Sequence, residues 1–311
     1  MKKIFVLLSL LCVMVMPFAV SCDTTKNNDP TDTPVYKSME KLGESPDIIS
    51  VEKLPLNENI KKISAYTVIF KSGELNIAAE FILPSDYKKS KNSYPVLIYL
   101  PDANPSADTL ASNIVTEDII VVRLYRRGMG GSEGTFDYAG EDLADAQKLL
   151  KICDTLSFMR NSKIFVAGAA DSSITVLRLT AEDTDKRIAG CAVSNPVSDL
   201  KAFMDSRSEI TILFETYIGK SYEEAPEEYE MRSAVHFYEK LDRPILIQHY
   251  IGTTADGVDI NSMFPIEQST SLYELLKDTN KRCYYYNIDV SKQRFMMEEY
   301  QNLIRFINQN D

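Results

Sequence analysis

Apolar residues in this chain follow two rhythms in succession. Through "KISAYTVIFKS", ending at Ser72, and "ELNIAAEFILP", from Glu74 to Pro84, apolar and polar positions alternate around a Ser-Gly pair. A period of two with a turn-forming pair at its centre predicts an antiparallel hairpin. From Pro95 the alternation gives way to continuous apolar runs, "PVLIYL", "DIIVVRLY", "KIFVAG", "IAGCAVS", "PILIQHY" and "CYYYNI". Such runs suit strands covered on both faces, as in a parallel sheet. Stretches of helical period separate them: "EDLADAQKLLKICDTL", the segment after Ala170, "SLYELLKD" and the terminal "QRFMMEEYQNLIRFINQ". Strands alternating with helices predict one α/β domain over residues 45–311, with an insert at about 197–241 where the rhythm lapses.

The start of the chain is different. Lys2 and Lys3 precede an apolar run from Ile4 to Val20, and Ala19 and Ser21 stand just before Cys22. A basic start, an apolar segment too short for a comfortable spanning helix and small residues before a cysteine resemble a bacterial lipoprotein signal over residues 1–21. That resemblance implies lipidation of Cys22, the membrane as a partner through it, and a place in the cell envelope, periplasmic or surface-exposed. Residues 22–44, beginning with "CDTTKNNDPTDTP", are polar and punctuated by proline, and read as a flexible tether.

Composition narrows the possible partners. With 311 residues and 44% hydrophobic content the chain can bury a sizeable core. Lys and Arg total 34 against 45 Asp and Glu, a net charge of −11 that becomes −13 if Lys2 and Lys3 leave with the signal. No basic run could neutralise a phosphate backbone, so nucleic acid is not expected as a partner. Apart from Cys12 and Cys22, the cysteines are Cys153, Cys191 and Cys283, far apart and each within an apolar pattern; the only histidines are His236 and His249. That set suits neither a disulfide framework nor a zinc site, and no metal or cofactor is expected.

"YRRGMGGSEG", Tyr125 to Gly134, is the one glycine-rich stretch after a strand. As a dinucleotide fingerprint begun at Gly128 it puts Glu133 where the third glycine belongs, and no helix opens there. A Walker loop fails for want of Gly-Lys-Ser/Thr. Together, "YPVLIYLPDANP", "IIVVRLYRRGMGGSEG", "FDYAGEDLADAQKLL", "KIFVAGAADSS" and "RPILIQHYIGTTADGV" resemble the landmarks of the prolyl oligopeptidase-type branch of the α/β-hydrolases. The resemblance runs from about Lys61 to the C-terminus. It implies an α/β-hydrolase fold: a mostly parallel central sheet with antiparallel N-terminal strands, helices on both faces, and a helical insert before the strand that bears the catalytic acid.

The same resemblance locates the positions where hydrolase chemistry belongs. The nucleophile elbow G-x-S-x-G is matched by Gly168, Ala169, Ala170, Asp171 and Ser172, so Ala170 stands at the nucleophile position, with no atom to attack a carbonyl. Asp256, in "GTTADGV", matches the triad acid. The histidine should follow the acid in this fold, yet none follows His249; the loop after "CYYYNI" offers Asp289, Val290 and Ser291 instead, with Ser291 standing for the base. The oxyanion loop carries Pro101 and Asp102, which removes one N–H donor and adds a carboxylate where negative charge would develop.

Other readings of these residues remain open in the sequence. Shifting the elbow by one residue makes Asp171 the nucleophile, and Ser172 or Ser173 could act with a lysine or carboxylate as base. All three also suit a helix start, where Asp and Ser cap free N–H groups. Asp256 suits a turn, His236 and His249 suit packing, and Tyr222, Tyr229, Tyr238 and Tyr250 suit either a cleft or ordinary half-buried sites. The expected function is that of a degenerate hydrolase that binds a small ligand, a peptide or a partner. The alternative is an active esterase or peptidase built around Asp171, Ser172 and Asp256; a pocket filled by side chains would favour a purely structural envelope protein.

Overall fold

Two apolar residues three apart, Met39 and Leu42, are enough to anchor the chain well before the first predicted strand. A computed structural model describes residues 34–88, 94–100, 106–115, 118–279 and 282–311. Residues 1–33, which hold the expected signal segment, Cys22 and part of the expected tether, and Pro101 and Asp102 lie outside the described residues. Helix α1 (Met39–Leu42) is capped by Ser38 and buries Met39 and Leu42 completely. Tyr36 donates its N–H to the Thr155 carbonyl at 2.7 Å and bridges to Leu156. The packed domain therefore begins near Tyr36, and the expected boundary at residue 45 is corrected: one amphipathic turn in a polar segment buries its apolar side.

A nine-stranded sheet forms the centre, in the order β1-β2-β3-β5-β4-β6-β7-β8-β9. The strands are β1 (Ile48–Leu54), β2 (Ile63–Ser72), β3 (Leu75–Pro84), β4 (Val96–Leu100), β5 (Ile120–Leu124), β6 (Ile164–Ala169), β7 (Ile188–Ser194), β8 (Ile245–Ile251) and β9 (Cys283–Asp289). Pairing is antiparallel from β1 through β3 to β5 and parallel among β5, β4, β6, β7, β8 and β9. Edge strand β1, "IISVEKL", buries only Ile48 outright, so its apolar pattern is too thin to announce a strand. Glu80 and Arg123 face each other across the β3–β5 register and form a buried ion pair, and the Tyr125 hydroxyl donates to Glu80 at 2.7 Å. Removing either partner would leave an uncompensated buried charge where the antiparallel part joins the parallel part.

The helices after α1 are α2 (Ala107–Asn113), α3 (Leu143–Thr155), α4 (Ser172–Glu182), α5 (Leu200–Ser206), α6 (Thr211–Ile218), α7 (Pro226–Glu230), α8 (Ile260–Met263), α9 (Ile266–Lys277) and α10 (Phe295–Asn310). Leu110, Leu303 and Phe306 on α2 and α10 pack with Val121, Phe165 and Leu246 on one face. Leu149, Leu177 and Leu272 on α3, α4 and α9 pack with Val122, Val166 and Ile247 on the other. The insert before β8 holds α5, α6 and α7 with 3-10 turns at Ser208–Ile210, Ala234–His236 and Tyr238–Lys240, so "SAVHFYEKL" is not the α-helix its composition suggests. Among the described residues no helix is long and apolar enough to cross a membrane.

His249, on β8, is 1% exposed, with Nδ1 2.9 Å from the Ser269 hydroxyl and no hydrogen-bond partner for Nε2. Burial lowers its pKa to about 4, only partly opposed by the charge of Glu267. A depressed imidazole favours folding while neutral and opposes it once protonated. Stability should therefore fall by about 3 kcal/mol from this group as pH drops from about 6.5 through 4. Urea denaturation at pH 7 and pH 4.5 should show that decline in the natural protein and a smaller one in His249→Gln.

Candidate functional site

In a parallel sheet all carboxyl ends lie on one edge, and ligands of open α/β sheets bind in the crevice outside that edge. Strands β4, β6, β7, β8 and β9 deliver Leu100, Ala169, Ser194, Ile251 and Asp289 to it. Between Ala169 and the start of α4 the backbone turns through Ala170, at φ +47°. That is the left-handed region, which costs an L-residue roughly 1–2 kcal/mol and is characteristic of the nucleophile elbow.

Hydrogen bonds hold the turn in place. The Ala170 N–H donates to the Ser194 carbonyl at 2.9 Å. The Ser173 hydroxyl donates to the Ala170 carbonyl at 2.5 Å and accepts from the Val197 N–H at 2.9 Å. Gly168 is required by close approach, since a Cβ there would lie 2.9 Å from both the Leu100 carbonyl oxygen and a Val176 methyl.

The side chains around this turn are committed elsewhere. Asp171 makes no capping bond; its carboxylate accepts from Arg126 at 2.7 Å, because the cation outcompetes the helix N–H groups expected to hold it. Ser172 is buried at the first turn of α4, and Ser173 is fully buried. Asp256 is exposed in the loop after β8, where the Thr254 hydroxyl donates to it at 2.5 Å and holds its carboxyl below the usual range. Ser291 is exposed after β9, where its N–H and hydroxyl donate to Asp289 at 3.0 and 2.7 Å. The loops of Ala170, Asp256 and Ser291 thus share one sheet edge, while Asp256 and Ser291 each close a local turn. Tyr229 is fully buried, its hydroxyl donating to the Lys220 carbonyl, and Tyr250 donates to Glu299.

Beside the elbow lies a cavity of about 30 Å³, room for one or two waters. Leu100, Tyr125, Arg126, Tyr138, Asp142 and Ser172 line it; Asp256 and Ser291 do not. The segment after β5 supplies its aromatic wall, and the insert backs that wall. Phe136 stacks on Tyr217 at 4.3 Å, Tyr138 packs on Phe214 at 4.5 Å, and the Arg126 guanidinium sits 4.9 Å from the Phe136 ring centre. Asp142 accepts from the Asp137 N–H at 3.1 Å through Oδ2, while its buried Oδ1 has no partner. Burial and the neighbouring charge of Asp137 raise the Asp142 carboxyl to about 7.

Sequence reading singled out neither Arg126 nor Asp142. An arginine pair at the carboxyl end of a strand is the available signal for the first, and the second has none. Among the described residues no group of three or more His, Cys, Asp or Glu side chains is placed to hold a metal ion. Burial raises the thiols of Cys153, Cys191 and Cys283 to about 12, far from thiolate chemistry.

Two stability measurements follow from this geometry. Ala170→Gly should stabilise the protein by about 0.5–1 kcal/mol in urea denaturation, since relief of the left-handed strain exceeds the added chain entropy. A loss of that size would mean the turn is not left-handed. An acid with a raised pKa opposes folding once ionised, so the Asp142 penalty grows as pH rises from about 4 to 7 and then levels off. Asp142→Asn should therefore gain stability over the natural protein at pH 8 and lose most of that advantage at pH 5.

No family model matches the chain. It is 22% identical over 263 residues to the "Uncharacterized peptidase YtmA" of Bacillus subtilis (strain 168), covering 83% of this chain and 97% of that protein. Among solved structures it resembles the Pyrococcus horikoshii acylaminoacyl peptidase, with a TM-score of 0.62 and 16% identity over 80% of this chain. It resembles Porphyromonas gingivalis dipeptidyl peptidase 4 with a TM-score of 0.61 and 18% identity over 81% of this chain. The chain spans only 42% and 36% of those two proteins. An acetyl xylan esterase from Paenibacillus sp. R4 matches with a TM-score of 0.64 and 14% identity, over 88% of this chain and 92% of its own. Sheet order, element order and these likenesses show that the chain has the α/β-hydrolase fold, with prolyl oligopeptidase-like peptidases and esterases among the proteins it resembles.

Proposed function

We propose that this protein is an exported, lipid-anchored α/β-hydrolase-like protein that does not hydrolyse substrates and works by binding a ligand or partner. The observation that carries the proposal is Ala170 at φ +47° in the strand-to-helix turn, the elbow backbone with a methyl group where the attacking atom belongs. No histidine follows His249 in the chain, and His249 itself is buried against Ser269. Loss of the nucleophile or the base alone costs about a millionfold in turnover. A cavity of about 30 Å³ beside the elbow is far below the roughly 300 Å³ at which small-molecule sites begin, which favours a partner over a small ligand. The lipid-anchor part rests on the "AVSC" stretch at Ala19–Cys22.

A second reading, an active hydrolase using Asp171, Ser172 and Asp256, would need these groups to act together. Asp171 is bound to Arg126, and Asp256 to its own turn. A fluorophosphonate probe separates the readings. The natural protein and Ala170→Ser should both remain unlabelled and hydrolyse p-nitrophenyl acetate at the background rate. Covalent labelling that disappears in Ser172→Ala would overturn the non-catalytic reading.

A further inference from the structure

The chain is acidic overall, yet one groove on its surface is basic. It has a volume of about 610 Å³ and runs between strand β9 and helix α10, lined by Tyr286, Lys292, Arg294, Gln301 and Arg305 with Glu298 as its single carboxylate. Among the described residues none of the three cations forms an ion pair, and the polar contact of the Arg305 guanidinium is a 3.4 Å bond to Asn302. Lys292 also interacts with the Asp289 carboxylate, yet three cations against Glu298 leave the groove net positive, and an anion laid over it is attracted. Tyr286 is 40% exposed beside them and adds an apolar platform.

A second feature lies at the same place. Strand β9 ends the sheet order, and among the described residues it pairs only with β8, so the outer side of Cys283–Asp289 has no strand partner there. Native edges are blunted by lysine, proline or a bulge, and "CYYYNID" contains neither lysine nor proline and pairs with β8 in unbroken register.

We propose that this edge receives an extended acidic peptide as a tenth strand, its main chain bonded to β9 and its alternate side chains over Lys292, Arg294 and Arg305. Alternation fits the site because every second side chain of an added strand falls on the α10 face. A second copy of this chain fits less well. Two β9 strands paired antiparallel about a two-fold axis would put both basic grooves on one face of the joined sheet, where neither supplies the other with counter-charge. The inference names a partner class for the binding role proposed above, and its test reads binding alone, so failure here leaves the absence of hydrolysis standing.

The test uses the full chain and fluorescein-labelled nine-residue peptides alternating Glu with Val, the same peptide with Lys for Glu, and the Glu peptide N-methylated at alternate amides. Fluorescence anisotropy should give the Glu peptide at least about tenfold tighter binding than either of the others, a difference of the size electrostatic complementarity and strand pairing supply. Lys292→Glu with Arg294→Glu and Arg305→Glu should weaken it about tenfold or more; the three changes to Gln serve if the charge-reversed protein does not fold. Equal binding of Glu and Lys peptides, no loss in the variants, or indifference to N-methylation overturns the proposal, the last in favour of a general polyanion surface. A dimer in sedimentation that the Glu peptide does not dissociate overturns it in favour of self-association.

Discussion

A single residue in the left-handed region lets the central strand β6 become helix α4 without a loop, and the carboxyl edge of the sheet is organised around that turn. Its backbone is tied on both sides, through the Ala170 N–H to β7 and through the Ser173 hydroxyl to the start of the insert. Relaxing Ala170 to ordinary dihedrals would break these bonds, and the strand before it has little room to shift, since even a Cβ on Gly168 would lie 2.9 Å from the Leu100 carbonyl oxygen and a Val176 methyl. The strain is therefore maintained by the packing of the sheet and does not depend on any chemistry at the turn. A methyl group can occupy the position because the geometry belongs to the scaffold.

Charge around the turn is arranged for mutual satisfaction. Arg126 takes Asp171, Arg127 takes Asp145 at 2.8 Å, and Arg232 reaches the Asp137 carbonyl and Glu228. These pairs link the β5 loop, α3 and the insert into one layer over α4, closed by Phe136, Tyr138, Phe214 and Tyr217. Asp142 is the exception, a buried carboxyl with one unpartnered oxygen, and its raised pKa is the physical consequence. The ion pair of Arg126 with Asp171 is partly open to solvent and is worth on the order of 1 kcal/mol. Its larger effect is positional, since it ties the β5 loop to the start of α4 along the wall of the cavity beside the elbow.

Much of this was readable in the chain, for reasons that differ by element. Strands β4 to β8 are largely buried on both faces, so unbroken apolar runs mark them to within two residues, and the aromatic run of β9 marks that half-exposed edge as well. The elbow was legible because its signature is a backbone requirement for small residues on either side of the turn, met by Gly168 and Ser172, which survives a change at Ala170. Strand β1 and helix α1 were not legible, since each buries only one or two side chains and leaves a weak period. The partners of Asp171 were hidden for a different reason. Whether a carboxylate caps its own helix or pairs with an arginine 45 positions earlier depends on how β5 and β6 sit across β4, which only the assembled sheet decides.

The loops after β8 and β9 complete the picture at the other end of the crevice. In a working triad the acid in one loop and the base in the next would hydrogen-bond each other, and each would be oriented by that bond. Here the register brings Ile251 opposite Asp289, close enough for such a pair, yet every polar contact turns inward. Thr254 donates to Asp256, Ser291 donates to Asp289, and the Val290 N–H donates to the Ile251 carbonyl across the two loop bases. Each carboxylate is lowered in pKa by its own turn, so neither is poised to accept a proton near neutrality. Two loops that satisfy themselves do not need each other, and each keeps its shape through its own side-chain bonds.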